Sequence, residues 1–270
     1  MVPFQITKKM LQSLAPLPAT AVQLLALLDD PDVPLRKIAD VASRDVGIAA
    51  ALLRMANSPI FGMRGRVGSI GEAMRRIGTA QARLLVLTWG VAQAGQKELP
   101  LYGLASGEFM RHSELVATLS MAIAREMRYP AAGVAYSAGL LHDIGKVVIN
   151  AVVQQGGPGA PSTGPFVVKP MLPGSDIVTI EKAAVGTDHA AIGRDLASLW
   201  ALPKELSDAI CFHHSTPPST SSALPGIVAL ANAVAGQTDH TYPEVLRVPV
   251  PENPLVPIEP LVLLAQETLE

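Results

Sequence analysis

The chain has 270 residues and a formal net charge of -2, which is room for one large domain or two small ones and too little positive charge for nucleic-acid binding to be expected. Hydrophobic residues make up 49% and aromatics 4%, and the weight of Ala and Leu points to an aliphatic core built from helices. A single cysteine, Cys211, no signal-peptide pattern, and a most apolar run (Leu84 to Val91) well short of the roughly 20 residues that span a bilayer together predict a cytoplasmic protein without membrane association.

In chain order the first half reads as short helices divided by cap signals. Pro18 and Thr20 precede AVQLLALLDD, whose leucines recur at helical spacing. Asp32 and Pro34 look like the cap and first turn of LRKIADVAS. Asp45 can cap GIAAALLRMAN, and Ser69 with Glu72 forms a capping box that opens a helix ending near Ile77 and Gly78. Thr79 is taken as the cap of AQARLLVLTWGVAQA. The pattern weakens between Gln96 and Ser106, which marks a hinge or lobe boundary.

The second half begins with one amphipathic helix, EFMRHSELVATLSMAIAREM, followed by a second expected over Val134 to Val153. Residues 155–176 are dense in Gly and Pro and read as a loop or insertion. Helical signals return with Ser175 or Asp176 capping IVTIEKAAV and Thr187 capping DHAAIGRDLASLW. Pro203 then starts KELSDAICFHH, and Leu224-Pro225 leads into GIVALANAVAG. Residues 241–260 carry many prolines and read as an extended tail before a short C-terminal helix. No alternating strand pattern and no internal repeat is evident, so the expected fold class is all-α.

Five of the six histidines fall between His112 and His214, and one of them forms the doublet His142-Asp143 in GLLHDIGKVVI. Neighbouring helical residues point about 100° apart, so the doublet reaches one metal only if the helix is distorted or begins close by. Imidazole with carboxylate suits Zn, Mn or Fe. Each residue taken singly also has an ordinary explanation. His112 can be a core or surface histidine, His189 part of a first helical turn beside Asp188, and His213 and His214 cations near a helix end. Lys146 can meet a phosphate or form an i,i+3 pair with Asp143. Arg64, Arg66, Arg75, Arg76 and Arg83 offer either a local anion patch or a solvated charged face. Met55, Met63, Met74, Met110, Met121 and Met127 are read as core fillers.

The run HDIGK resembles the central signature of the HD phosphohydrolase superfamily. More narrowly, LAPLPATAVQLLALLDDP, SRDVGIAAALLRMANSPIFG and VGSIGEAMRRIGTAQARLLVL resemble the HDOD family in order and spacing, over residues 8–214. The resemblance implies an N-terminal helical lobe over residues 8–95 packed on an HD-like helical lobe over residues 106–240, with the Pro-rich tail of residues 241–270 outside both. It also implies a regulatory output module that works by contact with a signalling protein, with a nucleotide second messenger as an alternative partner.

Carried over by position, the resemblance implies His112 as the leading histidine and His142 and Asp143 as the central doublet. His189 in GTDHAAIG and the pair His213 and His214 in CFHHS match the additional histidines of the two-metal HD-GYP branch. The closing aspartate of the pattern is Asn232 here, and no Gly-Tyr-Pro follows the paired histidines. A neutral amide is a weaker ligand than a carboxylate and makes an activated hydroxide harder to hold. The expectation is therefore a pocket for one or two Fe, Mn or Zn ions without strong hydrolase activity. The alternative is a metal-dependent phosphohydrolase, with Asp143 and Lys146 in catalytic roles.

Overall fold

The computed structural model describes residues 18–57, 65–95, 98–130, 132–154, 176–200, 202–215, 222–239, 254 and 256–269. Among these, helices account for nearly all regular structure, and the only bridge between extended residues joins Leu99 to Leu104. The class is all-α, as composition suggested. The chain divides into two compact units, the described residues of Pro16–Ala94 and those of Gly95–Glu270.

The first unit contains α1 (Ala19–Leu28), α2 (Leu35–Ala42), α3 (Val46–Asn57), α4 (Ile70–Ile77) and α5 (Thr79–Gly95). Ile70, Ala73, Met74 and Ile77 recur at i, i+3, i+4 and i+7, so α4 turns one apolar stripe inward. It meets Leu24, Ile38 and Leu52 from the preceding helices in one aliphatic core. Asp45 caps α3 by accepting from the Gly47 and Ile48 amides, both at 3.0 Å, and Ser69 accepts from the Glu72 amide at 3.3 Å. Two expected caps move. Pro34, not Asp32, holds the N-cap of α2, while Asp32 closes a local turn onto Asp30 Oδ1. Thr79 is already helical, because the Ala82 amide donates to Gly78 O.

The second unit opens on a turn whose Leu99, Leu101, Tyr102 and Leu104 are all buried, so the stretch read as a hinge or lobe boundary is an anchored segment lying just after the division between the units at Gly95. Its helices are α6 (Glu108–Glu126), α7 (Ala132–Leu141), α8 (Ile144–Gln154), α9 (Ile177–Val185), α10 (His189–Leu199), α11 (Lys204–Phe212), α12 (Leu224–Thr238) and α13 (Glu259–Leu269). Helix α12 packs on α6, α7 and α11, α8 packs on α10, and the C-terminal α13 rests on α6 and α12. The short C-terminal helix is thus part of this unit, and it begins at Glu259, inside the stretch read as tail. Residues 155–175 of the insertion and most of the Pro-rich stretch lie outside the described residues.

One helix was expected over Val134 to Val153, and there are two. The break falls at His142 and Asp143, between α7 and α8. This is the distortion the doublet needs to turn both side chains to one place. Two glycines that lower helix propensity here are required by packing. A Cβ on Gly139 would sit 2.8 Å from Val116 O and 2.7 Å from Ser120 Oγ on α6, and one on Gly145 would collide with the carbonyl of His189. The cap of α10 also shifts by one residue, to Asp188, which accepts from the Ala191 amide at 2.8 Å.

Candidate metal centre

Each histidine reaches the centre for a local reason. His112 lies on the buried stripe of α6, three residues after Phe109 and four before Val116. His142 and Asp143 occupy the break between α7 and α8, His189 is the first residue of α10, and His213 is the C-cap of α11. The side chains of His112, His142, Asp143, Lys146, His189, His213 and Asn232 are all nearly inaccessible to solvent, and His214 is half-buried.

Asp143 is the hub. Its Oδ2 lies 2.5 Å from Lys146 Nζ and 3.3 Å from His142 Nε2, and its Oδ1 lies 3.2 Å from His189 Nε2 and 3.5 Å from His213 Nε2. The i,i+3 pairing of Lys146 with Asp143 read from the sequence is therefore present. Ligand-type atoms gather in two groups that share this carboxylate: Asp143, His189, His213 and His214, and Asp143, His112 and His142. The amide oxygen of Asn232 faces His112 Nε2 at 3.1 Å. All seven side chains expected to form a pocket are thus brought together.

The hydrogen bonds show whether a cation suits this place. His142 Nδ1 lies 2.7 Å from Gly139 O, and His213 Nδ1 lies 2.8 Å from Ile210 O. A carbonyl only accepts, so both Nδ1 atoms carry the proton and both Nε2 atoms turn a lone pair inward. His189 Nδ1 likewise donates to Glu181 Oε2 at 2.7 Å. The lone pairs of His142 and His213 therefore converge on an acceptor-only carboxylate, and His189 Nε2, 3.2 Å from both Asp143 Oδ1 and His213 Nε2, carries the proton between them. His142 Nε2 and His214 Nε2 are buried without a hydrogen-bond partner. Such a donor set calls for a proton or a cation, and imidazole with carboxylate fits Fe, Mn or Zn.

The electrostatics agree. Burial alone would raise the Asp143 carboxyl, but its contacts with His142, Lys146 and His189 hold it well below the usual carboxylate range. Burial pushes His213 down to about 4 and, with neighbouring histidines, pushes His112 and His214 well below an ordinary imidazole. His189 is the exception. Burial would lower it too, but the Glu181 charge and hydrogen bonds to Asp143 and Glu181 raise it to about 9. Asp143, His189, His213 and His214 would hold a divalent ion, which would supply Lewis acidity there.

Sequence reasoning missed Glu181, Tyr102 and Asn150. Glu181 accepts the Tyr102 hydroxyl proton at Oε1, 2.7 Å, and the His189 backbone N–H at Oε2, 2.8 Å. Asn150 Oδ1 accepts from the Leu101 amide at 3.1 Å. A signal for Glu181 existed, since it stands four residues after Ile177 and four before Val185, on the apolar face of its helix. Of the arginines, Arg66 and Arg75 are exposed, as a solvated charged face expects, and Arg64 lies outside the described residues. Arg83 pairs with Asp29 at 2.6 Å, and Arg76 donates to the carbonyls of Ala56 and Gly65. Of the methionines read as core fillers, Met74 is buried, Met55, Met110, Met121 and Met127 are half-buried, and Met63 lies outside the described residues.

No helix among the described residues is long and apolar enough to cross a membrane. An uncharacterized protein of Treponema pallidum (strain Nichols) is 30% identical over 224 residues, which are 80% of this chain and 41% of that protein. The chain thus spans less than half the length of this curated relative. Among solved structures, a protein of Shewanella amazonensis SB2B named "Putative phosphohydrolase" is 26% identical with a TM-score of 0.61, covering 86% of this chain and 80% of its own. A protein of Marinobacter aquaeolei VT8 named "Putative signal transduction protein" is 19% identical with a TM-score of 0.57, covering 98% of this chain and 59% of its own, a likeness of fold. The pattern of the HDOD domain matches residues 14–216, three quarters of the sequence, and the chain belongs to the HDOD family.

Proposed function

We propose that this chain is a regulatory signal-transduction module that holds one or two divalent transition metals in a closed His/Asp pocket and acts by contact with a signalling partner rather than by rapid hydrolysis. The observation that carries this reading is burial. Every side chain at the centre except His214 is closed to solvent, whereas a catalytic metal keeps a position open for water or substrate. Asn232 supports it from the other side, because a neutral amide gives less compensation to a metal-bound hydroxide than a carboxylate would. The likeness of fold to the Marinobacter aquaeolei protein named for signal transduction agrees with the regulatory part. The test is elemental analysis of the purified chain joined to turnover assays on nucleotides and phosphodiesters with metal supplied. Bound Fe, Mn or Zn without detectable turnover is expected. Rapid turnover overturns the regulatory reading, and an absence of bound metal overturns the pocket.

One observation favours a second reading, a metal-dependent phosphohydrolase acting on a nucleotide or cyclic nucleotide. A single carboxylate, Asp143, serves both ligand groups and touches Lys146, an arrangement suited to two metals bridged beside a cation that meets phosphate charge. The 26% identical Shewanella amazonensis structure carries a phosphohydrolase name. This reading expects metal-dependent hydrolysis that His142→Ala and Asp143→Ala abolish and Asn232→Asp enhances.

A further inference from the structure

His189 is held differently from its neighbours. His142 and His213 each anchor Nδ1 on a carbonyl three residues back in their own chain segment, so their orientation is a local matter. His189 anchors Nδ1 on Glu181, a charged group on another helix. Glu181 is 1% exposed, and burying a carboxylate is costly unless its oxygens are satisfied. Here both are. Oε2 accepts from Nδ1 and from the backbone N–H of the same histidine, and Oε1 accepts from Tyr102. Glu181 itself belongs to neither ligand group.

Tyr102 is equally fixed. Its turn is closed by the Leu99 amide donating to Leu104 O at 2.9 Å and by the Leu104 amide donating to Leu99 O at 3.2 Å. The adjacent Leu101 amide donates to Asn150 Oδ1 on α8. The buried phenol lies with its ring centroid 6.0 Å from Lys146 Nζ. A tyrosine locked by its own backbone thus orients a carboxylate, which orients an imidazole whose Nε2 stands 3.2 Å from both Asp143 Oδ1 and His213 Nε2.

We propose that Glu181, set in place by Tyr102, is a positioning residue that fixes the ring of His189 and strengthens it as a ligand, so that metal affinity at the His189, His213 and His214 group depends on two residues that touch no metal. The proposal rests on the metal-pocket reading above. A carboxylate accepting from the far nitrogen of a metal-binding histidine fixes its tautomer and raises its basicity, and loss of such a partner typically lowers metal affinity 10- to 100-fold.

The test uses the full chain, stripped with a chelator and titrated with Co²⁺ while its visible absorption is followed, in wild type and in the variants Glu181→Gln, Tyr102→Phe and His189→Ala. Glu181→Gln is expected to weaken Co²⁺ about 10- to 100-fold and to alter the spectrum, because a glutamine cannot restore the charge. Tyr102→Phe is expected to act in the same direction by less than about 10-fold. In the Zn²⁺-loaded wild type, ¹⁵N shifts should show His189 protonated at Nδ1, a signature that a purely structural role for Glu181 would not move in the variant. If Glu181→Gln keeps wild-type affinity and spectrum while His189→Ala loses Co²⁺, the proposal is overturned and the pocket stands. If wild type takes up no Co²⁺, both fail together, and if His189→Ala changes nothing the proposal fails while the His112, His142 and Asp143 group can still hold the metal. Should Glu181→Gln not fold, Tyr102→Phe decides, since it removes one hydroxyl and no charge. Wild-type affinity in that variant overturns the proposal.

Discussion

The two units solve the burial problem in opposite ways. The described residues of the first unit enclose a core of Leu, Ile, Val, Ala and Met, with charged groups such as Asp45 at a cap and Arg83 paired with Asp29 outside it. In the second unit the interior contains His112, His142, Asp143, Lys146, Glu181, His189 and His213. A buried charge network is weak evidence for stability, because its attraction must offset desolvation that an apolar core avoids. What the contrast teaches is that the second unit retains a costly interior whose geometry suits a ligand, while the described interior of the first is apolar. Perturbed titratable groups cluster at functional sites for the same reason.

Mutations in the two interiors should therefore differ in kind. Asp143→Ala leaves Lys146 buried without its carboxylate and is expected to cost about 3–5 kcal/mol of stability, together with loss of bound metal. Chemical denaturation and elemental analysis measure the two effects. Leu52→Ala in the first unit is expected to cost a similar amount, about 2–5 kcal/mol, yet to leave metal per folded molecule unchanged. A metal loss in Leu52→Ala, or none in Asp143→Ala, would break the comparison.

The pH dependence sharpens it. His213 titrates at about 4 in the folded chain, below an unfolded imidazole at about 6.5, and His112 and His214 shift the same way. The unfolded chain therefore takes up protons first, so the chelator-treated protein should lose stability as pH falls from about 6.5 towards 4. His189 has the opposite sign. Raised to about 9, it adds stability below about 6.5 that disappears as pH rises through 9. Melting temperatures across this range should fall at both ends, and His213→Gln should flatten the acid limb. An acid limb unchanged in that variant would show that His213 is not its source.

The smallest expected effects come from a matched pair of caps. Asp45→Ala and Asp188→Ala each remove a side-chain acceptor at a helix start, worth about 0.5–2 kcal/mol. Only Asp188 caps the helix that begins at His189, so only its loss should also weaken metal binding. Equal metal affinity in both variants would separate the cap from the pocket.

Most of this was legible because helical periodicity and cap chemistry are local signals. The stripe Ile70, Ala73, Met74 and Ile77 and the cap at Asp45 are read directly from spacing. The doublet with His112, His189, His213, His214 and Asn232 was legible through its order along the chain, and the structure gathers all of them at one place. The break between α7 and α8 was legible only as a condition, since the doublet needed a distorted or newly begun helix to reach one metal while a single helix was expected over Val134 to Val153. The break follows from packing, where Gly139 and Gly145 admit neighbouring backbone. Tyr102 was missed because its contact with Glu181 spans 79 residues of sequence, which no local pattern encodes, whereas Glu181 left a trace in its place on the apolar face of its helix. For the arginines two alternatives stood in the sequence, and the exposed Arg66 and Arg75 fit the solvated face while Asp29 and backbone carbonyls engage Arg83 and Arg76.

The central claim is that the buried cluster around Asp143 holds metal. Elemental analysis of the purified full chain beside a folded Asp143→Ala variant tests it most directly. The account expects about one or two equivalents of Fe, Mn or Zn in the wild type and their loss in the variant. A wild type without these metals, or a variant that retains them in full, would contradict it.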